Sequence, residues 1–377
     1  MLFYLTISPL AGYLTLGLPN GTHFLIMAFL LQFKKAEPTR MEKSKRPPIV
    51  HVVSHGPYCL DGVAAAVAVA RYYADTTVVP HFSGNERINE VIRSITPESA
   101  PAGSEVWITD ISWTEHATDD HLCQLAAQGV KIYWIDHHRT AIKRYAAGTI
   151  NVPFADKVIS EEFAASRLTY EYLTRKLAAA HQQNGRFADF AHAVAMADDT
   201  DRWIHAIAGS RELAWTFRKL GEHDSLDGYE AMLNIDAAVT YTPAMQAAYE
   251  KVAGEIRNSF ALAERSRVSI PVPNTPYTLV TAVCDGYPSE IGDAWGKHTT
   301  QTVFAFFDLT GEGVSLRRSP DCQADLSILA QTFGGGGHPA AAGCRPKELP
   351  RLFADAMARL LATALPALAK AERSSKS

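Results

Sequence analysis

The chain has 377 residues, 47% of them hydrophobic and 20% charged, a composition that excludes disordered and fibrous classes and leaves room for two or three domains. Its 36 Lys+Arg against 40 Asp+Glu give a formal charge of -4, so no global basic field exists to hold a long duplex by counterion release. Five scattered cysteines, none in Cys-x-x-Cys spacing, argue against a disulfide framework or a zinc ribbon and fit a reducing cytoplasm.

Residues 1–48 read as an extension and linker. Met1–Gln32 is apolar but broken by Pro9, Gly12, Gly17, Pro19 and Asn20, and the run His23–Phe33 is shorter than the ~20 residues a bilayer demands. No basic segment precedes it to make a signal peptide, and no stable membrane association is expected. From Ile49 short β-rich runs alternate with helical patterns, which predicts a parallel sheet with helices on both faces. Strands are expected at Ile49–Ser54, Thr77–Phe82, Glu105–Ile111 and Lys131–Ile135; helices at Asp61–Ala74, Glu86–Ile95 and His116–Gln128. After Ile150 the pattern turns helical, clearest at Glu161–His181 and Arg186–Ala197, and the segment 49–240 forms the expected first domain. Pro243–Arg265 reads as a helical connector spanning 241–266. Strand signals return at Tyr277–Val283, Gln301–Phe307 and Gly313–Leu316, predicting a smaller α/β domain over 267–346, followed by a helical tail over 347–377.

Three strands carry acidic or imidazole residues just past their apolar runs: His55 to Asp61, Asp110, and Asp136-His137-His138. Ligands of open parallel sheets sit outside the carboxyl ends of the strands, so these segments converge there. Mixed carboxylates and imidazoles suit Mn²⁺ or a similar first-row ion better than Ca²⁺ or a structural zinc. Two such ions bracketing a phosphate would activate water and offset phosphoryl charge. Singly, each residue reads equally well as a cap or turn residue; the convergence is the signal.

Five segments in order, His55-Gly56-Pro57-Tyr58-Cys59-Leu60-Asp61-Gly62, Thr109-Asp110-Ile111-Ser112, Asp136-His137-His138, Asp198-Asp199-Thr200-Asp201 and Gly334-Gly335-Gly336-Gly337-His338, resemble the DHH phosphoesterase superfamily, in the branch with a DHH-associated carboxyl-terminal domain. The resemblance covers about residues 49–346. It implies two divalent ions, usually manganese, with Asp110 bridging, His55 on one ion, and Asp61, His137 and Asp199 on the other. His138 would face the phosphoryl group, and Asp136 would orient the histidines from behind. The family commonly has an Asp where this chain has Cys59. Either Cys59 is a small turn residue and one ion loses a ligand, or its thiolate coordinates that ion and favours Zn²⁺ or Fe²⁺.

Four glycines before His338 permit backbone shapes that line an anion-binding concavity, and Arg317 in Ser315-Leu316-Arg317 offers a bidentate phosphate grip. Spacing alone favours a flexible turn beside a stray arginine. The resemblance implies that Arg317, Gly335, Gly336, Gly337 and His338 bind the nucleotide substrate. Trp203, Trp215 and His205 could stack a base, but core packing is the preferred assignment for each tryptophan and none of the three is counted in the site. The expected activity is hydrolysis of short oligonucleotides or small nucleotides by metal-activated water, with a homodimer admitted. A phosphatase of adenosine bisphosphate type and a non-catalytic nucleotide- or nucleic-acid-binding module are the alternatives.

Overall fold

The computed structural model describes residues 4–7, 14–17, 23–26 and 46–374. Most of the expected amino-terminal extension lies outside the described residues, as does the very end of the tail. Within the extension, three short strands, β1 (Tyr4–Ile7), β2 (Leu14–Gly17) and β3 (His23–Ile26), pair antiparallel. Among the described residues no helix is long and apolar enough to cross a membrane. The chain divides into two units, one of 1–55, 64–198 and 236–238 and another of 56–63, 199–235 and 239–377.

The first unit is built on five parallel strands: β4 (Ile49–His55), β5 (Thr77–Ser83), β6 (Glu105–Thr109), β7 (Lys131–Asp136) and β8 (Asp156–Ile159). Their spatial order is β5-β4-β6-β7-β8. The chain therefore moves outward from β4 to β5 and then crosses back to β6, which makes the β4/β6 junction the switch point where an open sheet forms its crevice. The crossovers carry α1 (Leu60–Tyr72), α2 (Ile88–Arg93), α3 (His116–Ala127) and α4 (Arg139–Ala146). Residues 64–69 of α1 are fully buried, so this alanine-rich helix packs closely on all sides. On one sheet face Val53, Ile108 and Trp134 join Ile88, Ile92, Trp113 and Leu122 in one core cluster. On the other, Trp107 stacks on Tyr133 at 4.1 Å beneath Tyr172 of α5 (Ala165–Ala179). Both faces are thus covered, as a parallel sheet requires. Two short helices follow, α6 (Gly185–Ala188) and α7 (Ala191–Asp201).

The structure trims several expected elements. The strand expected to reach Ile111 stops at Thr109, because Asp110 has a left-handed backbone (φ 58). The helix expected from Glu161 begins at Ala165, and β8 occupies part of the stretch read as helical. The edge position of β5 accommodates Pro80, which cannot donate to a central ladder.

The second unit contains α8 (Ser210–Leu220), α9 (Asp227–Leu233) and α10 (Pro243–Ser266), whose Thr242 hydroxyl caps Met245 N at 3.2 Å with Pro243 in the first turn. Its sheet comprises β9 (Val268–Pro271), β10 (Thr278–Cys284), β11 (Thr302–Asp308), β12 (Gly313–Arg318), β13 (Gly336–His338) and β14 (Ala341–Cys344), in the order β13-β14-β12-β11-β10-β9. Within it β10 and β11 run parallel and the other neighbours antiparallel; α11 (Pro288–Gly296) joins the parallel pair. Phe304, Phe306, Ile291 and Trp295 fill one face, and Leu316, Cys322 and Leu326 of α12 (Leu326–Gln331) the other. The chain continues into α13 (Leu349–Ser374).

One contact in the first unit has a pH signature. His51 Nδ1 lies 2.9 Å from His81 Nε2, and its other nitrogen lies 2.9 Å from Ser99 O. Burial, reinforced by His51, lowers the His81 pKa to about 4. The unfolded chain binds that proton more readily, so stability is complete above the unfolded pKa of about 6.5 and is lost as pH falls toward 4. Between pH 7 and pH 5 this pair should remove about 1–2 kcal/mol of folding free energy. Denaturant melts should show that loss in the native chain and a flatter profile in His81→Leu.

Candidate metal centre

Sheet register places the central residues. Ser54 pairs with Thr109, and Thr109 with Ile135, across β4, β6 and β7. The Thr109 hydroxyl donates to Ser54 Oγ at 2.9 Å, and the Ser54 hydroxyl donates to Thr109 O at 3.1 Å. The next residue on each strand is His55, Asp110 or Asp136, so three functional groups leave the sheet side by side. Asp110 N donates to Ile135 O at 3.0 Å. This bond and the left-handed backbone turn the Asp110 carboxylate out of the strand direction; Asp tolerates that conformation better than a bulky residue.

Asp110 is 2% exposed. One carboxylate oxygen, Oδ2, lies 3.6 Å from His55 Nδ1; the other, Oδ1, lies 3.2 Å from His137 Nε2 and 3.9 Å from His138 Nδ1. Burial alone would raise its pKa, but the His137 and His55 imidazoles outweigh burial and hold the carboxyl well below the usual range. The His137 contact is within ion-pair range but outside hydrogen-bond geometry, the relation expected of two donors directed at a common cation. Asp110, His137 and His138 offer ligand atoms within 4.8 Å of one another, and this nitrogen and oxygen donor set fits a first-row divalent ion.

Asp136 is fully buried and holds its neighbour from behind. Its Oδ1 accepts from His138 N at 3.0 Å and pairs with His138 Nδ1 at 2.8 Å. That hydrogen bond is the main reason the His138 pKa is raised, with burial opposing. His138, 46% exposed in its side chain, therefore carries a fixed ring with Nε2 directed away from Asp136.

The aspartates around α7 have separate tasks. Asp198 accepts from Ala164 N at 2.8 Å and pairs with Arg167 at 3.2 Å, anchoring the start of α5. Asp199 accepts from Ala206 N at 2.8 Å, Ile207 N at 3.2 Å and Ser210 Oγ at 2.6 Å, so both of its oxygens tie down the turn that leads into α8. Asp201 stands exposed at the end of α7. Cys59 is partly buried just before α1, and Asp61 is buried in its first turn.

In the second unit Arg317 is not a loose surface cation. Its Nε and Nη2 donate to Ser289 Oγ at 3.1 and 2.8 Å, and Nη1 donates to Leu316 O at 2.7 Å. The four-glycine segment, expected to be a loop, runs into the edge strand β13. Gly335 and Gly337 answer to sterics: a Cβ would meet Gly343 O at 2.1 Å or Ala341 O at 2.6 Å, and Gly337 has φ 142. Gly336 faces open space. Gly334 and Gly335 also border a cavity of about 360 Å³ with Asp308, Ser315 and Arg345; neither Arg317 nor His338 lines it. Trp203, assigned to packing from the sequence, is 48% exposed; the assignment failed because its left-handed backbone (φ 57) carries it out of the helical pattern.

No family model matches the chain. It is 23% identical over 302 residues to oligoribonuclease NrnB of Bacillus subtilis (strain 168), covering 78% of this chain and 72% of NrnB. This distant likeness agrees with the resemblance of the five motifs to the DHH phosphoesterase superfamily. Solved structures similar to this chain include the pGpG-specific phosphodiesterase PggH from Vibrio cholerae (12% identity, TM-score 0.49, 83% of this chain and 99% of that one). Another is RecJ in complex with Mn²⁺ from Thermus thermophilus (17% identity, TM-score 0.47, 84% and 52%).

The glycine geometry gives a direct test. Gly335→Ala should cost about 1–3 kcal/mol of stability, as overpacking does, whereas Gly336→Ala should stay within about 0.5 kcal/mol. Urea unfolding of the two variants side by side checks the contrast.

Proposed function

We propose that the protein is a metal-dependent phosphoesterase that hydrolyses short oligonucleotides or small nucleotides. The observation carrying this reading is Asp110, a buried carboxylate whose two oxygens face different imidazoles and whose charge those imidazoles keep in place. Such a carboxylate is suited to bridge two cations. Within the first unit His55 and His137 flank Asp110; the resemblance would add Cys59 to the ion at His55, and Asp61 and Asp199 to the ion at His137. Motif position favours Asp199 for the last ligand, a carboxylate whose oxygens also brace the turn after α7. Bound divalent ions supply the acidity that activates water and offsets charge on phosphoryl oxygens. His138, aimed by Asp136 and with its pKa raised, donates to a phosphoryl oxygen. Arg317, fixed by Ser289, and His338 bind the terminal phosphate. NrnB is named an oligoribonuclease, and the formal charge of -4 fits short rather than long substrates.

Incubation with Mn²⁺ and dinucleotides, short RNA, single-stranded DNA or adenosine bisphosphate tests the reading. Mononucleotide release is expected, falling at least about a hundredfold in Asp110→Asn. Orthophosphate release alone would replace it with a phosphatase, and binding without turnover with a sensing module.

Cys59 places a thiolate where the family has a carboxylate, which favours Zn²⁺ or Fe²⁺ at that position. Elemental analysis of purified protein should show such an ion in the native chain and its replacement by Mn²⁺ in Cys59→Asp. Unchanged metal identity and stoichiometry would rule out the thiolate as a ligand.

A further inference from the structure

We infer that Trp203 is the stacking platform for a nucleobase of the substrate, a reading that rests on the phosphoesterase assignment above. Trp203 is 48% exposed, yet it is held from several sides. The Arg211 guanidinium lies 5.3 Å from its ring centre, and the His205 ring packs 4.4 Å away, tilted by 58°. Arg211 is itself fixed by Asp293 at 2.8 Å and lies over Trp215 at 5.9 Å, whose indole N–H donates to Glu290 Oε1 at 3.0 Å. Trp203 N donates to Thr200 O at 3.0 Å, and Asp199 secures the residues that follow.

Both Trp203 and His205 have left-handed backbones, with φ 57 and 56. That conformation is uncommon for a bulky residue and persists only where the surroundings impose it. Here the imposed turn leaves about half of the indole in solvent instead of burying it. An immobilised, half-exposed indole backed by a guanidinium is the surface on which a base stacks, because every base offers a π-face and little side-chain freedom remains to be lost.

Helix α11 relates this platform to the proposed phosphate grip. Ser289 holds Arg317, and one turn further on the same helix Asp293 holds Arg211, a spacing of roughly 6 Å along the axis. The two anchors are thus set on the scale of one nucleotide. The indole also follows the proposed ligand Asp199 by four residues. Stacking tolerates any base, so recognition through Trp203 is of base-bearing substrates as a class, with purines favoured by their larger face.

The test compares a dinucleotide with its abasic counterpart, using Mn²⁺-loaded full-length protein. Trp203→Leu should lower the kcat/KM preference for the base-bearing substrate about tenfold, through KM, and Trp203→Phe should restore most of it. An unchanged preference in Trp203→Leu would overturn the inference. If the native protein hydrolyses neither compound, the phosphoesterase reading fails. Equilibrium dialysis of the dinucleotide then decides the stacking separately: about tenfold weaker binding to Trp203→Leu sustains it, and equal affinity overturns it.

Discussion

The parallel register of β4, β6 and β7 is the constraint on which the metal centre depends. Because Ser54, Thr109 and Ile135 lie in one row, the residues that follow them leave the sheet together, at the junction where the strand order reverses. A slip of one residue would exchange inward and outward side chains along a whole strand. It would move Val53, Ile108 or Trp134 out of their core cluster to the opposite face of the sheet. The apolar core of the first unit therefore fixes the relative positions of His55, Asp110 and Asp136. The positions of these side chains follow here from the same packing that stabilises the sheet.

That placement creates an electrostatic demand. A carboxylate as buried as Asp110 would become protonated without compensation. Three imidazoles answer the demand, His55 from the end of β4 at one oxygen and His137 and His138 from just past β7 at the other. Asp136 makes the same use of burial one strand away, where its charge favours a protonated His138. Two buried carboxylates therefore acquire different roles from their neighbours. Asp110 is surrounded by groups able to share a cation, while Asp136 has one oxygen committed to a single histidine.

Much of this was legible in the sequence, because βα alternation and strand-end polar residues follow from local pattern. The positions of β4 to β7 and the convergence of His55, Asp110 and His137 come from that source. The strand β8 was not legible: Asp156–Ile159 is four residues long and begins with two charged ones, so its pairing with β7 supplies what its own pattern lacks. The roles of the α7 aspartates were hidden for another reason. Asp198 and Asp199 are adjacent and chemically identical, and only the tertiary fold shows that one anchors α5 while the other braces the turn before α8. The exposure of Trp203 was equally hidden, since the sign of φ at a tryptophan leaves no mark in hydrophobic periodicity.

The second unit uses close approach where the first uses register. Gly292 lets α11 lie against β12, since a Cβ there would stand 2.8 Å from the Arg317 Cβ. The guanidinium is then held across the helix start by Ser289, and burial lowers its pKa while Glu290 opposes the shift. An arginine remains charged under such conditions because its intrinsic pKa is so high. What burial changes is its freedom: much of the side-chain entropy that a surface arginine would lose on gripping a phosphate has already been lost in folding. The cost of ordering is therefore carried by the packing of α11 on the sheet, and an anion arriving at Arg317 would meet a cation already oriented.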